Sequence, residues 1–160
     1  MKNNTNHTGF TIVELLIVIV VIGILAAITI VAYSGIQNRA NDAAVQSDLR
    51  NFGTTMGLIA ADAGTYPAVL TPAMGIKFSK SSYGLDAQSY NARYCYNSAT
   101  NQYIMYASSK SGKYYKNTAS GGVEVADSTY GYAVCYQIGL STTNPTQNGL
   151  AGTSWAAWAN

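Results

Sequence analysis

Three patterns of apolar and polar residues succeed one another along the chain. From Leu15 to Ala32 the sequence reads LLIVIVVIGILAAITIVA, broken only by Thr29. Such a run reaches the roughly 18 residues at which a membrane-spanning helix is the default reading. A helix buried in a soluble protein is rarely apolar on every face for so long. After Gly35 the pattern becomes one-sided. Val45, Leu49, Phe52, Met56 and Ile59 recur at alternating steps of four and three, and Asp42, Asp48, Arg50 and Asn51 lie off that stripe. That is the spacing of a helix with one buried face. Gly64 supplies a C-terminal cap and Pro67 prevents continuation. The two patterns together predict one helix from about Phe10 to Ala61.

From Tyr66 onward, turn residues separate short runs of period two. YNARYCY alternates Tyr90, Ala92, Tyr94 and Tyr96 against Asn91, Arg93 and Cys95. YGYAVCYQI alternates Tyr130, Tyr132, Val134, Tyr136 and Ile138 against Gly131, Ala133, Cys135 and Gln137. QYIMYAS and GVEVA are further candidate strands. Three or four antiparallel strands closing over the helix stripe give an α+β fold with a small core. KSGKYYK interleaves Lys110, Lys113 and Lys116 with Tyr114 and Tyr115. It reads as a solvated loop, with contact to single-stranded DNA or an anionic surface as the weaker reading. Trp155 and Trp158 in SWAAWAN either close the core or sit at a subunit interface.

Composition narrows the class. Only 10% of the residues are charged, against roughly 25% in ordinary soluble proteins, and the net charge of +2 is too small to single out nucleic acid as the main partner. Thirteen tyrosines suit an exported protein that packs against its own copies. A cleavable secretory signal ending at Ala32 is the competing account of the apolar run. The run exceeds the roughly 7–15 residues of such signals, however, and Glu14 interrupts its entry. Lys2 before the span and Arg39 and Arg50 after it leave the orientation open.

Gly9-Phe10-Thr11-Ile12-Val13-Glu14 at the head of this run resembles the N-terminus of type IV prepilins and the related pseudopilins. The likeness extends from about Gly9 to Ala40. It implies that a prepilin peptidase cuts after Gly9 and methylates the new amino group of Phe10. Residues 1–9 would then be a cytoplasmic leader, 10–35 a transmembrane and filament-core helix, 36–64 its amphipathic half, and 65–160 a β-rich head. The implied life history begins as a single-pass protein of the cytoplasmic membrane. It ends, through the pilus assembly machinery, in a homo-oligomeric surface filament for adhesion, twitching motility or DNA uptake. A pseudopilin of a secretion or competence machine is the alternative, favoured by the helix followed by Gly64-Thr65-Tyr66-Pro67. The tyrosine-rich region after Pro67 favours the pilin. The family usually carries proline where Val31 stands, so only Gly23 weakens the helix before Gly35.

The physics of Glu14 agrees with this likeness. After cleavage, a cationic amine on Phe10 and the Glu14 carboxylate would each be penalised in hydrocarbon. Together, in low dielectric, they attract. In filaments of this family the carboxylate meets the amine of a neighbouring subunit, which makes Glu14 a docking group. Cys95 and Cys135, in strand-like runs of a segment that would lie outside the cytoplasm, are expected to pair, with two buried free thiols as the alternative. Closing a loop of about 40 residues stabilises by roughly 4 kcal/mol in the chain-entropy picture.

Little here suggests catalysis. The one histidine, His7, falls in the leader, so the processed chain would hold no Ser-His or Cys-His pair. Glu124 and Asp127 stand in a Gly-rich turn region that fits a solvated loop better than acid–base work. No phosphate loop, metal-ligand spacing or cofactor motif is evident. The sequons at Asn3 and Asn6 also fall in the leader. An exported enzyme or binding domain behind an ordinary signal or anchor is the reading from another class.

Overall fold

The computed structural model describes residues 9–84, 91–126, 133–140 and 146–150. The leader up to residue 8, Tyr90, Asp127, Tyr130, Tyr132 and the two tryptophans lie outside the described residues. The chain divides into two compact units, Met1–Gln37 and Asn38–Asn160.

Helix α1 (Ile12–Ala63) starts within the first unit and ends in the second. It contains no proline, and neither Gly23 nor Gly35 interrupts it. The Gly64 N–H reaches the Ala60 carbonyl at 2.8 Å with φ at +76°, so Gly64 adopts the left-handed conformation of a glycine cap. The helix therefore ends two residues beyond the expected Ala61, on the expected cap.

Among the described residues, five strands form one antiparallel sheet in the order β4-β3-β2-β1-β5. These are β1 (Ala92–Asn97), β2 (Gln102–Ser108), β3 (Tyr114–Thr118), β4 (Val123–Ala126) and β5 (Thr146–Leu150). Period-two alternation sends Tyr94, Tyr96, Tyr103, Met105 and Tyr115 to one face. There they meet Val45, Leu49, Phe52 and Met56 of α1, each fully buried, and Leu70, Ile76, Phe78 and Tyr83 of the connecting segment. Burial of each large apolar side chain is worth roughly 1.5–3 kcal/mol. Phe52 stands at the centre, with ring centroids 5.8 Å from Tyr94 and 5.7 Å from Tyr103. The helical stripe thus packs as its spacing predicts.

The opposite face of the sheet is covered as well. Cys95, Ile104 and Tyr106 pack against Val134, Cys135 and Ile138. For this reason β1 is buried along its whole length and β2 at all but Gln102. The covering segment is not the strand expected from YGYAVCYQI. Ala133–Tyr136 form a short helix, α2. Val134, Cys135 and Ile138 are buried while Tyr136 and Gln137 are exposed, a helical rather than alternating pattern. The segment caps the sheet instead of joining it.

Two further expectations change. KSGKYYK is not simply a solvated loop, because Tyr114–Thr118 form β3 with Tyr115 directed into the core. Asp42 and Asp48, which lie off the apolar stripe of α1, are nonetheless both only 6% exposed. Asp48 accepts hydrogen bonds from the Ser79 N–H at 2.6 Å, the Ser79 hydroxyl at 3.2 Å and the Tyr83 hydroxyl at 3.1 Å. Asp42 accepts one from the Ser111 hydroxyl and lies 3.2 Å from Lys113 Nζ. The two carboxylates thus tie α1 to the segment before the sheet and to the β2–β3 turn.

Candidate assembly site at the start of the helix

Thr11 and Glu14 set where α1 begins. The Glu14 carboxylate accepts hydrogen bonds from the Thr11 N–H at 2.9 Å and the Thr11 hydroxyl at 2.7 Å. The Glu14 N–H returns one to Thr11 Oγ1 at 3.2 Å. This is a capping box, in which two otherwise orphaned amides of the first turn are satisfied reciprocally. The carboxylate also stands where the helix dipole favours an anion. Both carboxylate contacts fall on Oε2.

Gly9 and Phe10 precede this box and are not helical. The bond between them therefore lies in irregular backbone, with Phe10 80% exposed. Beyond the box, α1 is apolar without being covered: the large side chains from Ile12 to Ile36 are all largely solvent-facing where described. An 18-residue window of this helix has a mean hydropathy of 3.3 and no buried residue, so it is long and apolar enough to cross a membrane. Thr29 returns its hydroxyl to the Ala26 carbonyl at 3.0 Å, which removes a polar group from the apolar surface. The backbone is helical throughout Gly23–Val31.

The disulfide joins Cys95 of β1 to Cys135 of α2, with the Cα atoms 5.5 Å apart. One end is a strand residue as expected and the other is not. The lysine cluster is dispersed. Lys113 pairs with Asp42, Lys116 lies 3.4 Å from Glu124, Tyr115 is in the core, and Tyr114 stacks on Tyr106 at 5.7 Å. Lys110 alone keeps a side chain without such a partner among the described residues. Glu124, weighed above as an acid–base candidate, is the partner of Lys116 on a neighbouring strand.

Residues 4–30 match the family model of the prokaryotic N-terminal methylation motif. The chain carries the prepilin signature. This is the N-terminal signature shared by type IV pilins and pseudopilins, and it contains Gly9, Phe10 and Glu14. It marks the chain as a prepilin-peptidase substrate, and with the apolar helix it points to membrane anchoring before assembly. Neither the curated proteins nor the solved structures compared with the chain give a match.

Thr11 was absent from the candidate residues, although the signal for it was present. Thr-x-x-Glu ahead of an apolar run is the sequence form of a capping box.

Proposed function

We propose that this chain is a type IV pilin, the structural subunit of a surface filament, and not an enzyme. The observation that carries this reading is the Glu14 carboxylate at the head of a bare apolar helix, inside a prepilin signature. Cleavage after Gly9 would release a cationic Phe10 amine in the same apolar zone. Left apart, both charges are unfavourable once water is excluded; a neighbour's amine on Glu14 removes both penalties in one contact. The exposed leucines, isoleucines and valines of α1 then find cover first in lipid and later in the helices of other subunits.

A pseudopilin reading uses the same N-terminal chemistry and draws on the Gly64-Thr65-Tyr66-Pro67 stretch after the helix. The two diverge in where the polymer is found. Shearing cells, imaging the filaments and identifying their main protein by mass spectrometry tests the pilin, and a polymer confined within the envelope would favour the pseudopilin. N-terminal sequencing tests the layer beneath. Phe10 as first residue supports processing, Tyr33 would mean a secretory signal, and Met1 a plain anchor. Gly9→Val should leave the uncut precursor in the membrane, because a peptidase acting at a Gly-Phe junction leaves little room for a side chain there.

A further inference from the structure

The described head residues include the carboxylates Asp42, Asp48, Asp62 and Glu124. The first two are buried and hydrogen-bonded, and Glu124 faces Lys116. Asp62 is exposed, and its carboxylate has no hydrogen bond or ion pair among the described residues. One turn before it Leu58 is 68% exposed. The end of α1 therefore presents a bare apolar side chain beside an uncompensated anion.

Further up the same helix a groove of about 430 Å³ opens between α1 and the β3–β4 turn. Arg50, Gly53 and Gly57 form its helical wall, and Tyr66, Gly121 and Gly122 line the other side. Its shape is fixed. Asn117 accepts from the Tyr103 hydroxyl at 2.6 Å and donates to the Gly122 carbonyl at 2.9 Å, while Tyr66 packs edge-on to Tyr103 at 4.7 Å. At Gly57 a Cβ would meet nothing within 4 Å, so the groove is open there. Arg50 is exposed at its wall and, among the described residues, faces no carboxylate.

We propose that this groove receives the Leu58–Asp62 turn of a second copy of the chain, with that copy's Asp62 facing Arg50. The match is one of charge and of shape: an unpaired guanidinium beside a glycine-walled hollow, and an unpaired carboxylate beside an uncovered leucine. Guanidinium suits the contact because it can meet a carboxylate through two parallel hydrogen bonds. Hollow and projection are different patches of one surface, so the contact is heterologous and can repeat from copy to copy without closing. Asp62 follows Arg50 by roughly 18 Å of helical rise, so parallel copies joined in this way are staggered along α1. The contact rests on the filament reading above and names where the heads meet.

The test exchanges the charges in the full-length chain. Arg50→Glu and Asp62→Arg should each be processed to Phe10 and keep the Cys95–Cys135 bond. Each should also lower the yield of sheared filaments about five-fold or more, as expected of a like-charge contact at an interface. The double variant should recover wild-type yield. Single reversals that assemble normally, or a double variant no better than either single, overturn the contact while leaving the filament reading intact. A wild-type chain that is processed yet never polymerises overturns the filament reading, and this contact with it. Arg50→Gln and Asp62→Asn serve where a reversal disturbs folding. Their filaments should lose part of the salt sensitivity of the wild type, and an unchanged salt response in both overturns the proposal.

Discussion

Thr11 and Glu14 satisfy each other across the first turn of α1, the hydroxyl accepting from the Glu14 amide and the carboxylate accepting twice in return. Both returned bonds use Oε2, so the second carboxylate oxygen is not engaged by the box. Glu14 thereby combines a cap within its own subunit with the docking role proposed for it between subunits.

These two roles separate on substitution. Glu14→Ala removes the carboxylate half of the box and leaves the Thr11 hydroxyl on the residue-14 amide, and it makes membrane insertion easier by up to roughly 2–3 kcal/mol. We expect insertion, processing to Phe10 and head folding to persist while filament yield collapses. Glu14→Gln keeps size and hydrogen bonding, so it should restore much of the cap and still assemble poorly. Immunoblots of sheared filaments against the processed membrane pool would measure both. Normal filament yield from Glu14→Ala would remove the docking role.

The disulfide anchors the layer over the outer sheet face. Cys135→Ser should destabilise the head by roughly 2–4 kcal/mol, lowering its melting temperature. The helix-side core, which uses neither cysteine, should survive. Mass measurement after alkylation, with and without reduction, reports the bond itself, and thermal melts of the two proteins report its contribution. Two alkylated thiols in the unreduced protein would refute the pairing.

Gly53 and Gly57 should respond in opposite directions. A Cβ on Gly53 would come within 2.7 Å of Asn117 Nδ2 and 2.9 Å of its Oδ1. That side chain cannot move aside without giving up its bonds to Tyr103 and Gly122. Gly53→Ala should therefore destabilise the head by about 1–3 kcal/mol. Gly57→Ala meets open space and should stabilise α1 by up to about 1 kcal/mol. Chemical denaturation of the two variants would show whether their midpoints move apart.

Asp42 makes stability depend on pH. Burial pushes its carboxyl up, but the hydroxyls of Ser111 and Ser109 and the ammonium of Lys113 together hold it below the ordinary 3.8. A folded-state value below the unfolded one gives stability that is complete above 3.8 and fades as pH falls below it. Asp48 behaves in the opposite sense. Burial raises it despite the bonds from Ser79 and Tyr83, so its ionisation weakens the fold as pH climbs above 3.8. Asp42→Ala should cost about 1–3 kcal/mol at neutral pH, and the deficit should shrink in acid. Denaturation curves of variant and wild type across that range should converge, and a constant gap would refute the assignment.

Much of this fold could be read before any coordinates. The core stripe of α1, its cap at Gly64, and strands β1, β2 and β4 follow from local periodicity. What escaped depends on distant partners. Asp48 is buried because Ser79 and Tyr83 reach it from 31 and 35 residues away, and Asp42 because Ser111 reaches it from 69. A rule that sends carboxylates to water has no access to such pairs. YGYAVCYQI alternates well enough for a strand, but the outer sheet face required a cap rather than a sixth strand, and tertiary burial selected the helical spacing of Val134, Cys135 and Ile138. TQNGL of β5 is polar and carries the turn-like Asn148-Gly149 pair, so it gave no strand signal. At the candidate site, Gly9, Phe10 and Glu14 were legible because their chemistry is local. Thr11 was legible and overlooked.

The strand order also determines a sequence of events. Strands β1 to β4 are neighbours in the chain as well as in the sheet, so each hairpin can close over a short loop. β5 must return from far along the chain to pair Leu150 with Ala92. Loop-closure entropy makes that the slow pairing. Until it forms, β1 has an open hydrogen-bonding edge beside the most buried part of the sheet, an adhesive template for any other unfinished chain. Pulse-labelled hydrogen exchange should find β5 amides protected after those of β1 to β3. The chain is therefore most vulnerable to misassembly in the interval before its last strand arrives.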